Sequence, residues 1–144
     1  MKHWRAIVLA AGRGPDDPMA KAFGVAHKCA LPVAGVPMLQ RVLGALVEAQ
    51  VTAPSLVSID DAATGIAAAG PYGSQVAMQA SASSAPASAK NAVLAAAHFP
   101  VLVTTGDHAL LTADMVRNFQ QQAEASSADF CVGLATAETI LTAY

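Results

Sequence analysis

Aromatic side chains are scarce in this chain, at 5% of its 144 residues. That scarcity argues against a base-stacking platform for single-stranded nucleic acid. Charge is also sparse, at 12%, and the formal net charge is −2. No basic cluster stands out, so a duplex-binding surface is not expected either. The cysteines number two, Cys29 and Cys131. They lie far apart, without metal-ligand spacing, and read as reduced, apolar-like residues of a cytoplasmic chain. No apolar run approaches the ~18 residues of a membrane span. Behind Met1-Lys2-His3-Trp4-Arg5 the apolar run is too short for a secretion signal, and it ends in Gly12-Arg13-Gly14-Pro15-Asp16-Asp17.

What the chain has in plenty is alanine, inside an apolar fraction of 54%. Alanine buries little area, so the larger aliphatic residues must carry the packing. The length suits one domain with a proper core.

Strands and helices alternate along the sequence. Arg5 to Ala10 reads as a short buried strand, followed by a long segment, Ala11 to Ala30, rich in Gly, Pro and Asp. Loops of that length are uncommon unless functional. This one is expected to close over a bound ligand, with Asp16 and Asp17 facing solvent. Pro37 suits a helix start, and Met38, Leu39, Val42, Leu43 and Leu46 recur at helical spacing. Ser55 to Ile59 reads as a second strand, Asp60 or Asp61 as the cap of a short helix to Ala69, and Gln75 to Gln79 as a third strand. The Ala/Ser tract from Ala80 to Ala89 resembles a linker, with a helix from about Ser88 to His98. Pro100 to Thr105 is a strongly apolar strand ending in Gly106-Asp107-His108. Thr112 caps a helix with Met115, Val116 and Phe119 on one face, and Asp129 to Ala135 reads as a last strand. This alternation predicts an α/β fold, a mostly parallel sheet between two layers of helices. Ligands of such sheets bind at the carboxyl ends of the strands. The glycine segment, the Ser-rich loop and Asp107 all fall at such ends.

Two blocks carry a resemblance: Leu9-Ala10-Ala11-Gly12-Arg13-Gly14, and Lys28 followed by Leu31-Pro32-Val33-Ala34-Gly35-Val36-Pro37-Met38-Leu39. Small residues after a strand let backbone amides approach a phosphate, and a lysine is a point charge suited to one. Together the blocks resemble nucleotidyltransferases of the molybdenum-cofactor guanylyltransferase and cytidylyltransferase-like (MobA-like NTP transferase) family. The family's arginine after the second glycine is absent, and Pro15, Asp16 and Asp17 stand there.

The resemblance implies a three-layer α/β/α Rossmann-like nucleotidyltransferase fold, of which residues 1–144 would form the N-terminal portion. It implies transfer of a nucleotide from an NTP to a phosphate or sugar-phosphate acceptor, with Mg²⁺ and release of pyrophosphate. Leu9, Ala10, Ala11, Gly12, Arg13 and Gly14 would line the phosphates, Lys28 would neutralise charge, Ser84 and Ser88 would lie near base and ribose, and Asp107 would hold the metal. Plainer readings stand beside these: Lys28 as a surface lysine, Asp107 as a turn residue, Ser88 as a helix cap. His3, His27 and His98 have no partner spacing. His108 reads as structural, or as supporting a ligand rather than being one. A non-catalytic nucleotide- or sugar-nucleotide-binding module is the alternative function. A dinucleotide-binding oxidoreductase fits less well, because the third glycine of its fingerprint would fall at Asp17. A P-loop kinase fits less well still, with Lys28 far from the glycines.

Overall fold

The computed structural model describes residues 2–12, 16–97 and 99–143. Strand β1 (Arg5–Leu9) opens the chain, and helix α1 (Pro18–Ala22) and a 3-10 turn (Lys28–Ala30) follow. A two-stranded hairpin of β2 (Pro32–Val33) and β3 (Val36–Pro37) then leads into α2 (Met38–Glu48). Next come β4 (Thr52–Ile59), α3 (Ala62–Ala69), β5 (Val76–Ala80), α4 (Ala85–Ala96), β6 (Val101–Thr105), α5 (Ala113–Ala125) and α6 (Ala137–Ala143).

The main sheet is parallel throughout, in the order β5-β4-β1-β6. The chain steps outward from β1 to β4 to β5, then returns through α4 to lay β6 on the other side of β1. The strand order therefore reverses beside β1, which is where open α/β sheets form their ligand crevice.

Alternation along β1 divides the core. Ala6, Val8 and Ala10 pack with Leu39, Val42, Leu43 and Leu46 of α2 and with Val116 of α5. Ile7 points the other way, with Leu56, to Ala92 and Ala96 of α4. Three layers result, with α2, α3 and α5 on one face and α4 on the other. The large aliphatic residues do carry the packing: Ile7, Val8, Leu39, Val42, Leu43, Leu46, Val57 and Ile59 are all fully buried.

Several expectations are corrected. The segment from Ala11 to Ala30 is not continuous loop. Asp17 caps α1 by accepting from the amides of Met19 and Ala20, and it is buried, at 5% exposure, instead of facing solvent. Asp16 does face solvent, paired with Lys21 at 2.6 Å. Helix α4 begins three residues before Ser88, because Ser84 supplies the cap, accepting from the Ala87 amide. Strand β4 begins at Thr52 instead of Ser55.

Residues 129–135 form no strand. Among the described residues their apolar alternation has no ladder partner, and Phe130 and Leu134 are left 81% and 87% exposed. A short exposed helix, α6, follows. Among the described residues no helix is long and apolar enough to cross a membrane.

Candidate nucleotide site at the carboxyl ends of β1, β4 and β6

Three strand ends build the site. At its floor the Ala10 amide donates to the Ser58 carbonyl at 2.8 Å, and the Gly106 amide donates to the Leu9 carbonyl at 2.8 Å. The Leu9 carbonyl and the Ala10 amide thus hold β1 between its neighbours, and Ala10 is buried. A Cβ on Gly106 would stand 2.9 Å from the Ala10 Cβ, so this approach of β6 to β1 needs glycine.

Beyond the floor the chain turns outward at Ala11, which is exposed. The Gly12 amide donates to Asp60 Oδ1 at 3.2 Å. Asp60 Oδ1 also lies 2.9 Å from His27 Nε2. His27 Nδ1 accepts from the Cys29 amide at 3.2 Å, which leaves Nε2 as the ring nitrogen that donates to Asp60. A Cβ on Gly12 would meet His27 Nε2 at 2.9 Å, so only glycine lets the segment pass over the imidazole. Arg13 and Gly14, which complete the expected phosphate segment, lie outside the described residues.

Lys28 opens the 3-10 turn that His27 caps, and its Nζ lies 2.5 Å from Asp107 Oδ2. Lys28 and Asp107, 79 residues apart in sequence, are therefore brought together just past the end of β6. Both are partly open to solvent, at 33% and 41% exposure. The hydrogen bond from Lys28, with another from Thr105, holds the Asp107 carboxyl below the usual carboxylate range. Burial pushes Asp60 upward, but the bonds from His27 and Gly12 outweigh it and leave that carboxyl lowered too. Burial, and the charge of Asp60, push the Cys29 thiol up to about 11, so it stays protonated and unreactive at neutral pH.

The Asp60-Asp61 doublet divides its labour. Asp61 caps α3 by accepting from the Ala63 amide at 3.1 Å, with Thr64 donating to its other oxygen. Asp60 is left for the site. Ser84 and Ser88 sit at the start of α4, beyond β5. Ser88 is buried, and its Oγ accepts from the Ala82 amide at 2.8 Å, closing the 81–84 loop onto the helix. His27 and Asp60 are the site residues that sequence reasoning passed over.

As for a metal, no group of three or more His, Cys, Asp or Glu side chains is assembled among the described residues. A hard cation that keeps several waters and bridges phosphates needs only one or two protein carboxylates. Asp107, part-exposed and already facing a cation, has the right donor chemistry for such an ion.

The sequence matches the family described as MobA-like NTP transferase domain over residues 6–140. No curated protein matches. Among solved structures, a nucleotidyl transferase from Methanothermobacter thermautotroptrophicus superposes with a TM-score of 0.62 at 21% identity, covering 84% of this chain and 58% of that one. A hypothetical transferase from Thermus thermophilus gives 0.64 at 28% identity, covering 85% and 47%. A manganese complex of a protein from Mycobacterium tuberculosis H37Rv gives 0.61 at 21% identity, covering 87% and 61%. The chain thus spans between 47% and 61% of the length of these structures.

Proposed function

The chain belongs to the MobA-like NTP transferase family, and from that premise we propose that it binds a nucleoside triphosphate where β1, β4 and β6 end, for transfer of the nucleotide to a phosphate or sugar-phosphate acceptor. The observation that carries this reading is the Lys28–Asp107 pair beside the glycine segment. A cation and a carboxylate are held together at the crevice where such sheets bind ligands.

In the reaction we assign, an acceptor phosphate oxygen forms a bond to the α-phosphorus, and the bond from that phosphorus to the β-phosphate bridging oxygen breaks. Pyrophosphate leaves with the electron pair. The protein has no covalent bond to make, so its work is positioning and charge neutralisation. The amides of Ala11, Arg13 and Gly14 are the donors assigned to the phosphates. Gly12 supports that backbone, its own amide fixed by Asp60.

Lys28 exchanges its partner from Asp107 to a phosphate oxygen and offsets the charge that develops as pyrophosphate departs. Asp107, freed of Lys28, is the residue that would hold a divalent cation such as Mg²⁺. When bound, that ion neutralises and orients phosphate oxygens. Ser84 and Ser88, at the head of α4, are assigned to the base and ribose side. Ser88 acts there through the loop it braces, since its hydroxyl already accepts from Ala82.

Calorimetric titration with each of the four common NTPs, with and without Mg²⁺, tests this reading. One NTP is expected to bind in a Mg²⁺-dependent manner. Lys28→Met should weaken that binding by about tenfold or more, the scale of a lost charge-assisted hydrogen bond, while leaving the melting temperature nearly unchanged because both partners are part-exposed. Asp107→Asn should abolish the Mg²⁺ dependence. Binding that survives both substitutions contradicts the assignment. Binding without transfer to any phosphorylated acceptor favours the alternative, a nucleotide-binding module.

A further inference from the structure

Two segments 16 residues apart must be registered against each other for the site to exist: the glycine turn at Gly12 and the lysine turn at Lys28. Neither belongs to the main sheet. Each is joined to the end of β4 through the same atom, Asp60 Oδ1, which accepts from the Gly12 amide at 3.2 Å and faces His27 Nε2 at 2.9 Å.

We propose that His27 and Asp60 are positioning residues, a clamp that sets the phosphate-binding turn and Lys28 in register before a nucleotide arrives. The inference rests on the nucleotide reading above. Neither side chain is assigned a contact with substrate.

Three observations carry it. His27 is buried, at 7% exposure, although it sits in a loop, and both of its ring nitrogens are engaged. A buried polar ring in a loop is costly unless both nitrogens are satisfied, and here they are. The Cys29 amide on Nδ1 leaves Nε2 as the donor, so the ring can point its proton only at Asp60. Gly12 and His27 are also in steric register, since the space a Cβ would fill at Gly12 is taken by His27 Nε2. The clamp is thus closed by two hydrogen bonds on Asp60 Oδ1, and it leaves no room for a side chain at Gly12. The residue after its imidazole is the lysine that pairs with Asp107. A hydrogen bond to an ionised group is stronger than a neutral one, which suits a tether that must survive ligand exchange at Lys28.

The bland alternative is that His27 only caps the 3-10 turn from Lys28 to Ala30, through Nδ1. Two substitutions separate the readings. Gln places an amide nitrogen near the position of Nε2 and can still donate to Asp60. Asn is an excellent cap and can accept from the Cys29 amide, but it is too short to reach Asp60. If the clamp is the function, His27→Gln keeps nucleotide affinity within about threefold of the wild type. His27→Asn and Asp60→Ala then each weaken it by about tenfold or more, the scale of one lost hydrogen bond to a carboxylate. If Asn restores affinity and Gln does not, the clamp is wrong.

A nitrogen-15 NMR measurement on the ligand-free chain keeps the clamp testable where no NTP binds, an outcome that would defeat the functional reading alone. His27 should be protonated on Nε2, and Asp60→Ala should shift that nitrogen and the Gly12 amide together. A proton on Nδ1, or a shift at one site without the other, overturns the clamp.

Discussion

At the scale of single residues, the site is a small set of charges neutralised in pairs: Lys28 with Asp107, and Asp60 with the donors from His27 and Gly12. The Asp60 carboxyl is lowered in the folded chain. A lowered carboxyl stabilises the fold above its unfolded value of about 4, and that contribution is lost as pH falls through the folded value. Thermal melts between about pH 2 and 5 should therefore show stability falling with acid more steeply in the wild type than in Asp60→Asn. Equal slopes would mean that Asp60 is not held ionised by its partners. Lys28 and Asp107, which the structure brings together, were legible as candidates in the sequence because a recognisable motif surrounds the first and an apolar strand precedes the second. His27 was not, since its partner lies 33 residues away and nothing in the spacing announces it. One trace existed. An aspartate doublet after a strand offers one residue more than a helix cap needs, and the spare is Asp60.

At the scale of elements, legibility followed side-chain size. β1, α2 and β6 carry large aliphatic residues at the correct period and fall within a residue or two of their expected bounds. α4 is built largely of alanine and serine, and several serines compete to cap it. Its start lies at Ala85 instead of Ser88 because Ser84 is the serine that accepts from an amide of the first turn. α1 is too short, at five residues, to show a periodicity in the sequence, and only its aspartate cap and first-turn proline signal it. Residues 129–135 show the converse error. Alternating apolar residues specify a strand only where a ladder and a core await it, and Phe130 and Leu134 have neither. A close joint between elements lies at Gly106, just past β6, where a Cβ would stand 2.9 Å from that of Ala10 at the end of β1. Gly106→Ala should cost about 1–3 kcal/mol in urea unfolding, the usual penalty for overpacking. It should also loosen the Lys28–Asp107 contact by lifting the residue that precedes Asp107. An unchanged unfolding midpoint would show that the joint gives way freely.

At the scale of the whole molecule, the order of the parallel sheet reverses beside β1, where open α/β sheets form their ligand crevice, and the proposed site lies at that end of the sheet. Two other concavities offer themselves. One is an open groove of about 620 Å³ between α2 and the start of α5, lined by Gln40, Arg41, Glu48 and Thr112. The other is a larger, more apolar space of about 1050 Å³ between β6, α5 and residues 126–133. Neither includes Gly12, Lys28 or Asp107. The most direct test of the account is therefore a map of amide chemical-shift changes as the best-binding NTP is added with Mg²⁺. The account predicts that the largest changes fall at residues 10–12, 27–29 and 105–108, with a weaker set at 82–88. Changes centred on Gln40 to Glu48, or on Met115 to Phe119 and the 126–133 segment, would place the nucleotide elsewhere and contradict it.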